Sequence, residues 1–248
     1  MNDFELVKDL RKGDRRGQVK LIQEWLCLHG IYVIVDGIFG DATASAVSRF
    51  QSRKGLDVPQ RAVVDEKTFN YLTYPMTKAL DPITTGVRTL NDLIIAYAYQ
   101  HLEQNPHEVG GQNRGPWIRL YMNGRQGFNY PWCAGFVFFI LKCAYSALDL
   151  KLPFRSTVSC DILARRAAKK KMFHWGEDIE YETTMIKKGS LFLCRKTRSD
   201  WTHVGFVTGA ATNIFNTIEG NTNDEGSREG YELCERIRGY KNKDFIIL

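Results

Sequence analysis

The sequence predicts an α+β protein in which a small three-helix module precedes a larger domain with an antiparallel sheet. Apolar residues recur at helical spacing through the first third of the chain. In the remainder, helical segments come first and short strand-like segments follow, an order typical of α+β domains. The length of 248 residues suits one small and one medium domain.

The first module is predicted to span residues 1–78 and to contain three short helices. Its first helix should end at Gly30, and its second should start at Asp41, which can cap it. The third begins after a second acidic position, Asp65. From Pro75 to Gly86, proline, threonine and glycine occur with little periodicity, which predicts a linker at residues 79–88.

A glycine-punctuated turn between the first two helices carries a specific pattern. The residues of this pattern are Leu28, Gly30, Asp36, Gly37, Phe39, Gly40, Thr43, Ala46, Val47, Phe50 and Gln51. They resemble the type 1 peptidoglycan-binding domain. The resemblance implies a helical module that holds bacterial peptidoglycan, with Asp36, Gly37, Phe39 and Gly40 as candidate cell-wall-binding residues. Later in the module, residues 61–65 stand where the family has a second Asp-Gly-x-x-Gly turn.

The second domain is predicted at residues 89–248. Helices are expected at 89–104, 132–147 and 159–171. The region 105–130 is expected to be a loop rich in glycine, asparagine and proline, and loops of this length are usually functional or disordered. The pattern then changes to strands, which are expected at 190–194, 203–208, 214–219, 231–236 and 245–248.

Cys133 is predicted to lie at the start of an apolar helix. Pro131 has a preset φ angle and no N–H group, so it favours a helix that begins at Trp132 or Cys133. Unpaired N–H groups and the positive end of the helix dipole stabilise an anion there, which makes a thiolate accessible near neutral pH. The other five cysteines are interpreted as reduced, buried small hydrophobic residues.

Two later segments supply partners for this thiol. His203 on one predicted strand is the candidate base, and Glu219 should emerge near it at the end of the returning strand. Glu219, with Asn221 as the second candidate, would hold the imidazole tautomer, although both residues could instead cap a turn. Such a Cys/His pair would attack an amide carbonyl and form a thioester, with the N–H of Cys133 in the oxyanion hole.

Three separated motifs extend this hypothesis. They are YPWCAGFV at 130–137, HVGFV at 203–207 and IEGNT at 218–222. In this order they resemble the CHAP family of cysteine, histidine-dependent amidohydrolases and peptidases, in the papain-like clan. The resemblance implies a papain-like α+β domain with catalytic Cys133, His203, Glu219 and Asn221, acting on amide bonds in the peptide part of peptidoglycan. It also covers residues 110–117, whereas 188–191 depart from the family's Gly-Asp strand start.

Charge and composition limit the other function classes. The net charge of +6 favours an anionic partner or simply helps solubility, and no nucleic-acid recognition motif accompanies it, so no nucleic-acid partner is expected. No apolar run approaches the roughly 18 residues that cross a bilayer, so no membrane span is expected. His101, His107 and His174 form no HExxH-type motif, so neither a metal nor another cofactor is expected.

The sequence therefore predicts a monomeric peptidoglycan hydrolase, either an N-acetylmuramoyl-L-alanine amidase or a peptidoglycan endopeptidase. Tyr130, Trp132 and Trp117 are the candidate substrate-binding residues, although core packing explains each nearly as well. The first six residues lack a signal-peptide pattern, so synthesis in the cytoplasm is expected, with access to the wall as a phage endolysin or as an injected effector with an immunity partner. Two alternatives remain: an amidase for a small conjugate such as glutathionylspermidine, and a non-catalytic wall-binding structural protein.

Overall fold

The computed structural model describes residue 3 and residues 5–86, 88–179, 183–222 and 230–248. The helices are α1 (Gly17–Leu28), α2 (Asp41–Arg53), α3 (Glu66–Ala79), α4 (Leu90–Leu102), α5 (Pro116–Tyr121), α6 (Cys133–Ala147), α7 (Cys160–Lys169) and α8 (Gly176–Ile179). The strands are β1 (Phe173–His174), β2 (Leu191–Thr197), β3 (Asp200–Ala210), β4 (Ile214–Thr222), β5 (Glu232–Gly239) and β6 (Lys243–Ile246). A helical N-terminal module and an antiparallel sheet confirm the predicted α+β class.

The chain divides into two compact units. The first contains Met1–Lys78 and His107–Gly127, and the second contains Ala79–Pro106 and Phe128–Leu248. Helix α5 therefore belongs to the first unit, inside a region that the sequence predicts to be a loop. Pro116 starts this helix after Gly115, whose φ of 116° suits a residue without a side chain.

Two buried glutamines give the first unit an internal repeat. Gln23 on α1 accepts the N–H of Gly37 at 2.7 Å, and Gln51 on α2 accepts the N–H of Ala62 at 3.1 Å. Each glutamine also donates to a threonine hydroxyl in the first turn of the next helix. The two turn residues share a left-handed backbone, with φ of 77° at Gly37 and 60° at Ala62. The second turn thus keeps its shape although an alanine replaces the glycine.

Helix α3 continues through Pro75 to Ala79, although the sequence shows little helical periodicity from Pro75 onward. A proline inside a helix removes the hydrogen bond to the carbonyl four residues earlier. Leu72, Met76 and Ala79 are all buried. Burial of this apolar face stabilises the last turns of the helix in spite of the missing bond.

The second unit is built on one antiparallel sheet with strand order β1-β6-β2-β3-β4-β5. The long central strand β3 pairs with β2 on one side and β4 on the other. Helix α6 packs on β3, β4 and α4, and helix α7 packs on β3. Side chains from the two helices and from the middle of the sheet can therefore meet above β3.

Candidate active site

Cys133 is the first residue of α6, with Trp132 at the N-cap position, so the predicted helix start is confirmed. The N–H of a first helical residue has no acceptor within the helix, and the positive end of the helix dipole lies there. The Cys133 side chain faces the interior, and the residue is 5% exposed. The helix therefore places a nearly buried thiol in an electropositive position.

His203 on β3 and Glu219 on β4 form a buried pair, and both residues face the second unit's interior. The imidazole Nε2 lies 2.8 Å from Glu219 Oε2. Because Nε2 is engaged by the carboxylate, Nδ1 is the ring nitrogen available to Cys133, with which His203 shares a side-chain hydrogen bond. The structure thus brings three of the four predicted catalytic residues together: a thiol, an imidazole and a carboxylate in series.

The Glu219 carboxylate is fully buried and receives four hydrogen-bond contacts. Oε1 accepts from Arg238 Nε at 2.7 Å and from the Thr217 hydroxyl, and Oε2 accepts from Arg238 Nη2 and lies against His203. A two-point guanidinium contact fixes the plane of a carboxylate as well as its position. Neither Arg238 nor Thr217 is among the site residues that the sequence predicts. Thr217 is the strand neighbour on the same face two residues before Glu219, a signal that period-two alternation could have supplied.

These contacts determine the charges of the pair. Burial raises the pKa of Glu219, but hydrogen bonds from Arg238 and His203 lower it to about 2. Burial lowers the pKa of His203, but the neighbouring Cys133 and Glu219 raise it to about 10. At neutral pH the carboxylate is therefore ionised and the imidazole is protonated.

A second cysteine lies beside the first. Cys160 is the first residue of α7, and its Sγ is 4.0 Å from Cys133 Sγ. A hydrogen bond from Cys160 lowers the pKa of Cys133, burial opposes this, and His203 lowers it further, so the pKa lies well below its usual value. The pKa of Cys160 is raised well above its usual value by Cys133 and by burial. Cys133 is therefore the thiolate of the pair, and Cys160 is the thiol that donates to it.

Asn221 contacts the helix start. Its Oδ1 accepts the backbone N–H of Trp132 at 3.2 Å, and its backbone is left-handed with φ of 57°. The pairing of β4 with β5 shifts register between Glu219 and Thr222, so Asn221 lies within an irregularity of the strand. The sequence predicts Asn221 as the second candidate to orient the imidazole. In the structure its contact with the backbone of Trp132 ties β4 to the start of α6.

The three predicted substrate-binding aromatic residues lie in different settings. Trp132 is fully buried, and a Cβ on Gly220 would lie 2.6 Å from its ring, so the glycine on β4 makes room for the indole. Tyr130 is half-buried in the loop before α6. Trp117 is buried in the first unit, where it packs edge-on against Trp25 at 6.1 Å between ring centroids.

The predicted wall-binding residues build the turn that precedes α2. Phe39 is a core residue and Gly37 is buried, whereas the exposed Asp36 accepts from Gln23 and from the backbone N–H of Ile38. Gly40 is the N-cap residue of α2. This motif therefore specifies the geometry of the turn and presents one carboxylate at the surface.

Comparison with protein families finds a match within the first unit. A family model described as a putative peptidoglycan binding domain matches residues 15–72. The match supports peptidoglycan as a partner of the chain and fits an association with the cell wall. Comparison with curated proteins and with solved structures finds no match.

Every helix in the described ranges falls short of the length and apolar character that a membrane crossing requires. Among the same residues, no three histidine, cysteine or acidic side chains are arranged to hold a metal ion.

Proposed function

We propose that the second unit is a thiol amidohydrolase that cuts an amide bond in the peptide part of peptidoglycan. The observation that carries the proposal is the series Cys133–His203–Glu219, with a thiol of lowered pKa at a helix start, an imidazole beside it and a buried carboxylate behind. This is the arrangement that nucleophilic acyl transfer requires. The motifs around these residues resemble the CHAP family, which supports the same chemistry.

Each residue has a defined task in the reaction. The Cys133 thiolate attacks the carbonyl carbon, and the N–H groups of the first turn of α6 stabilise the oxyanion. The protonated His203 then gives its proton to the departing amine, which leaves a thioester on Cys133. Neutral His203 next takes a proton from water, the resulting nucleophile attacks the thioester, and the carboxylic acid and the thiolate are released. Glu219 holds the ring and stabilises its positive charge.

The peptidoglycan-binding domain supports the choice of substrate. A covalently attached binding module raises the concentration of polymer around the catalytic unit, so even weak wall binding accelerates the reaction. The amide at the junction of sugar and peptide and the amides within the peptide share one chemistry, and both are candidates for this site.

The test uses the purified full-length chain and isolated sacculi. Cys133→Ala should abolish solubilisation, whereas Cys143→Ala, a matched change on the same helix, should leave it intact. Cys143 suits the control because burial raises the pKa of its thiol to about 11, which makes it a poor nucleophile. Mass spectrometry of the released fragments then distinguishes a free lactyl carboxylate, the product of an amidase, from new peptide amino termini.

Equal solubilisation of sacculi by the parent and by Cys133→Ala would refute the assignment of Cys133 as the nucleophile. Absence of solubilisation by the parent itself, with sacculi still pelleting the protein, would assign the chain to wall binding without catalysis.

A further inference from the structure

Cys133 and Cys160 form a pair of thiols that the proposed hydrolysis uses only in part. Both are free thiols, 4.0 Å apart between sulfur atoms, and they are separated by 27 positions in the sequence. Each is the first residue of its own helix, α6 or α7, and both helices pack on β3. Cys133 is 5% exposed and Cys160 is 7% exposed, so both residues are buried.

The chemistry of the two sulfur atoms differs. Cys133 is the thiolate, stabilised by the hydrogen bond from Cys160 and by His203, and thiolates are the forms that peroxides oxidise. Cys160 keeps its proton, and Ser159 caps its helix through a hydrogen bond to the N–H of Ile162. The sulfur of Cys133 is therefore the one that peroxide oxidises first, and the sulfur of Cys160 is the neighbour that can then react with it.

We propose that Cys133 and Cys160 are a peroxide-responsive modification site, in which Cys160 resolves oxidised Cys133 as a disulfide. In the first step the Cys133 sulfur attacks one oxygen of hydrogen peroxide, which gives a sulfenic acid on Cys133 and one water or hydroxide. In the second step the Cys160 sulfur, losing its proton, attacks the Cys133 sulfur and displaces a second water. The two thiols lose two electrons in total, and the peroxide gains them.

The geometry allows the disulfide between Cys133 and Cys160 to form with a small movement of the two side chains. A disulfide joins sulfur atoms at about 2.05 Å, so the pair must approach by roughly 2 Å. Rotation about the side-chain bonds of the two cysteines can supply a movement of this size. A third thiol, Cys194 on β2, lies opposite His203 in the strand register, and its charge contributes to the raised pKa of Cys160. Cys194 is therefore the competing disulfide partner that an experiment must exclude.

The consequence for function rests on the proposed hydrolase activity. A disulfide between Cys133 and Cys160 removes the nucleophile, but a small dithiol restores it by exchange. Without Cys160, excess peroxide carries Cys133 from sulfenic to sulfinic acid, which dithiols do not reduce. Cys160 therefore makes the loss of hydrolase activity on oxidation reversible, whereas without Cys160 the loss is permanent.

The test treats the reduced full-length chain with increasing hydrogen peroxide, blocks remaining thiols with N-ethylmaleimide and maps the digest by mass spectrometry without reductant. We expect a peptide pair joined through Cys133 and Cys160 as the main product in the parent. Cys194→Ala, the matched control, should give the same pair. Cys160→Ala should give sulfinic acid at Cys133, and dithiothreitol should restore the sacculus-solubilising activity of the parent and of Cys194→Ala but not of Cys160→Ala.

Sulfinic acid at Cys133 in the parent, or a disulfide from Cys133 to another cysteine, would overturn the proposal. The mapping needs no catalytic activity, so the two proposals fail separately. A mapped disulfide in a chain whose reduced form leaves sacculi intact would refute the hydrolase and keep the thiol pair. A reduced chain that solubilises sacculi but never forms the disulfide would refute the thiol pair and keep the hydrolase.

Discussion

Substitution of Arg238 should show most clearly how much its contact with Glu219 stabilises the site. Its guanidinium makes a two-point contact with Glu219, which is fully buried, and the Arg238 side chain is itself 18% exposed. Arg238→Gln removes the charge and the fork while keeping a polar side chain on β5. The carboxylate then keeps contacts from Thr217 and His203 but loses its only guanidinium among the described residues.

The size of the effect follows from the burial. Breaking a buried ion pair by removing one partner costs about 3–5 kcal/mol, and the partial exposure of Arg238 places this case near about 3 kcal/mol. For a chain of this size about 1 kcal/mol shifts the melting temperature by about 2–4 °C, so the unit should melt roughly 6–12 °C lower. The pKa of Glu219 should rise, and the pKa of His203 should fall with it, because the carboxylate that supports the imidazolium is less firmly ionised.

Two assays check this reasoning. Thermal unfolding of the full-length chain measures the change in melting temperature, and the pH dependence of Cys133 alkylation by iodoacetamide measures the state of the imidazole. Arg198→Gln is the matched control, because Arg198 pairs with Glu177 at 3.0 Å but is 73% exposed and should contribute less than about 1 kcal/mol. Arg238→Lys should recover part of the loss, since it restores the charge but not the fork. Equal melting shifts for Arg238→Gln and Arg198→Gln would refute the argument.

Three further predictions follow from single positions. Ala62→Gly should raise the free energy of unfolding by up to about 1 kcal/mol, because the left-handed φ of 60° at this position suits glycine. The control Ala44→Gly, within α2, should lower the free energy of unfolding by a similar amount. Denaturant titration measures the sign of both changes. Gly220→Ala should slow sacculus hydrolysis and destabilise the fold by about 1–3 kcal/mol, since its methyl group would meet the Trp132 ring, and an unchanged rate would contradict the close fit. The pKa of His203 is raised from 6.5 to about 10, so its protonated form should contribute stability fully below pH 6.5 and lose that contribution as pH rises through about 10. The rate of hydrolysis should fall in the same alkaline range, and a fall that begins near pH 7 would count against the ion pair.

The parts of the site that could be predicted depend on local patterns. Pro131 and the apolar run after it are enough to place Cys133 at a helix start, because helix initiation depends on a few adjacent residues. Alternation along two strands is enough to place His203 and Glu219 near each other, because the antiparallel pairing of neighbouring strands is the simplest connection. Turn glycines and the residues around them likewise specify the first module, which the family match supports over residues 15–72.

Other parts depend on contacts between residues far apart in the chain. Alternation assigns a face to Arg238 but does not say which strand lies beside β5 or in what register, so its contact with Glu219 appears only in the assembled sheet. Helix α7 carries no local sign that its first residue meets α6, and Cys160 therefore looked like an ordinary buried cysteine. Helix α3 crosses Pro75 because tertiary burial outweighs a local preference.

The sequence by itself determined the order of helices α1–α4, α6 and α7 and of strands β2–β6, the start of the helix at Cys133 and the turn geometry of the first module. Neighbouring residues decide these features through backbone conformation. The tertiary structure alone decided that Glu219 is held by Arg238, that Asn221 meets the backbone of Trp132, and that a second thiol lies 4.0 Å from the first. These contacts follow from strand register and from helix packing on the sheet, and both are settled only when the whole core is buried together.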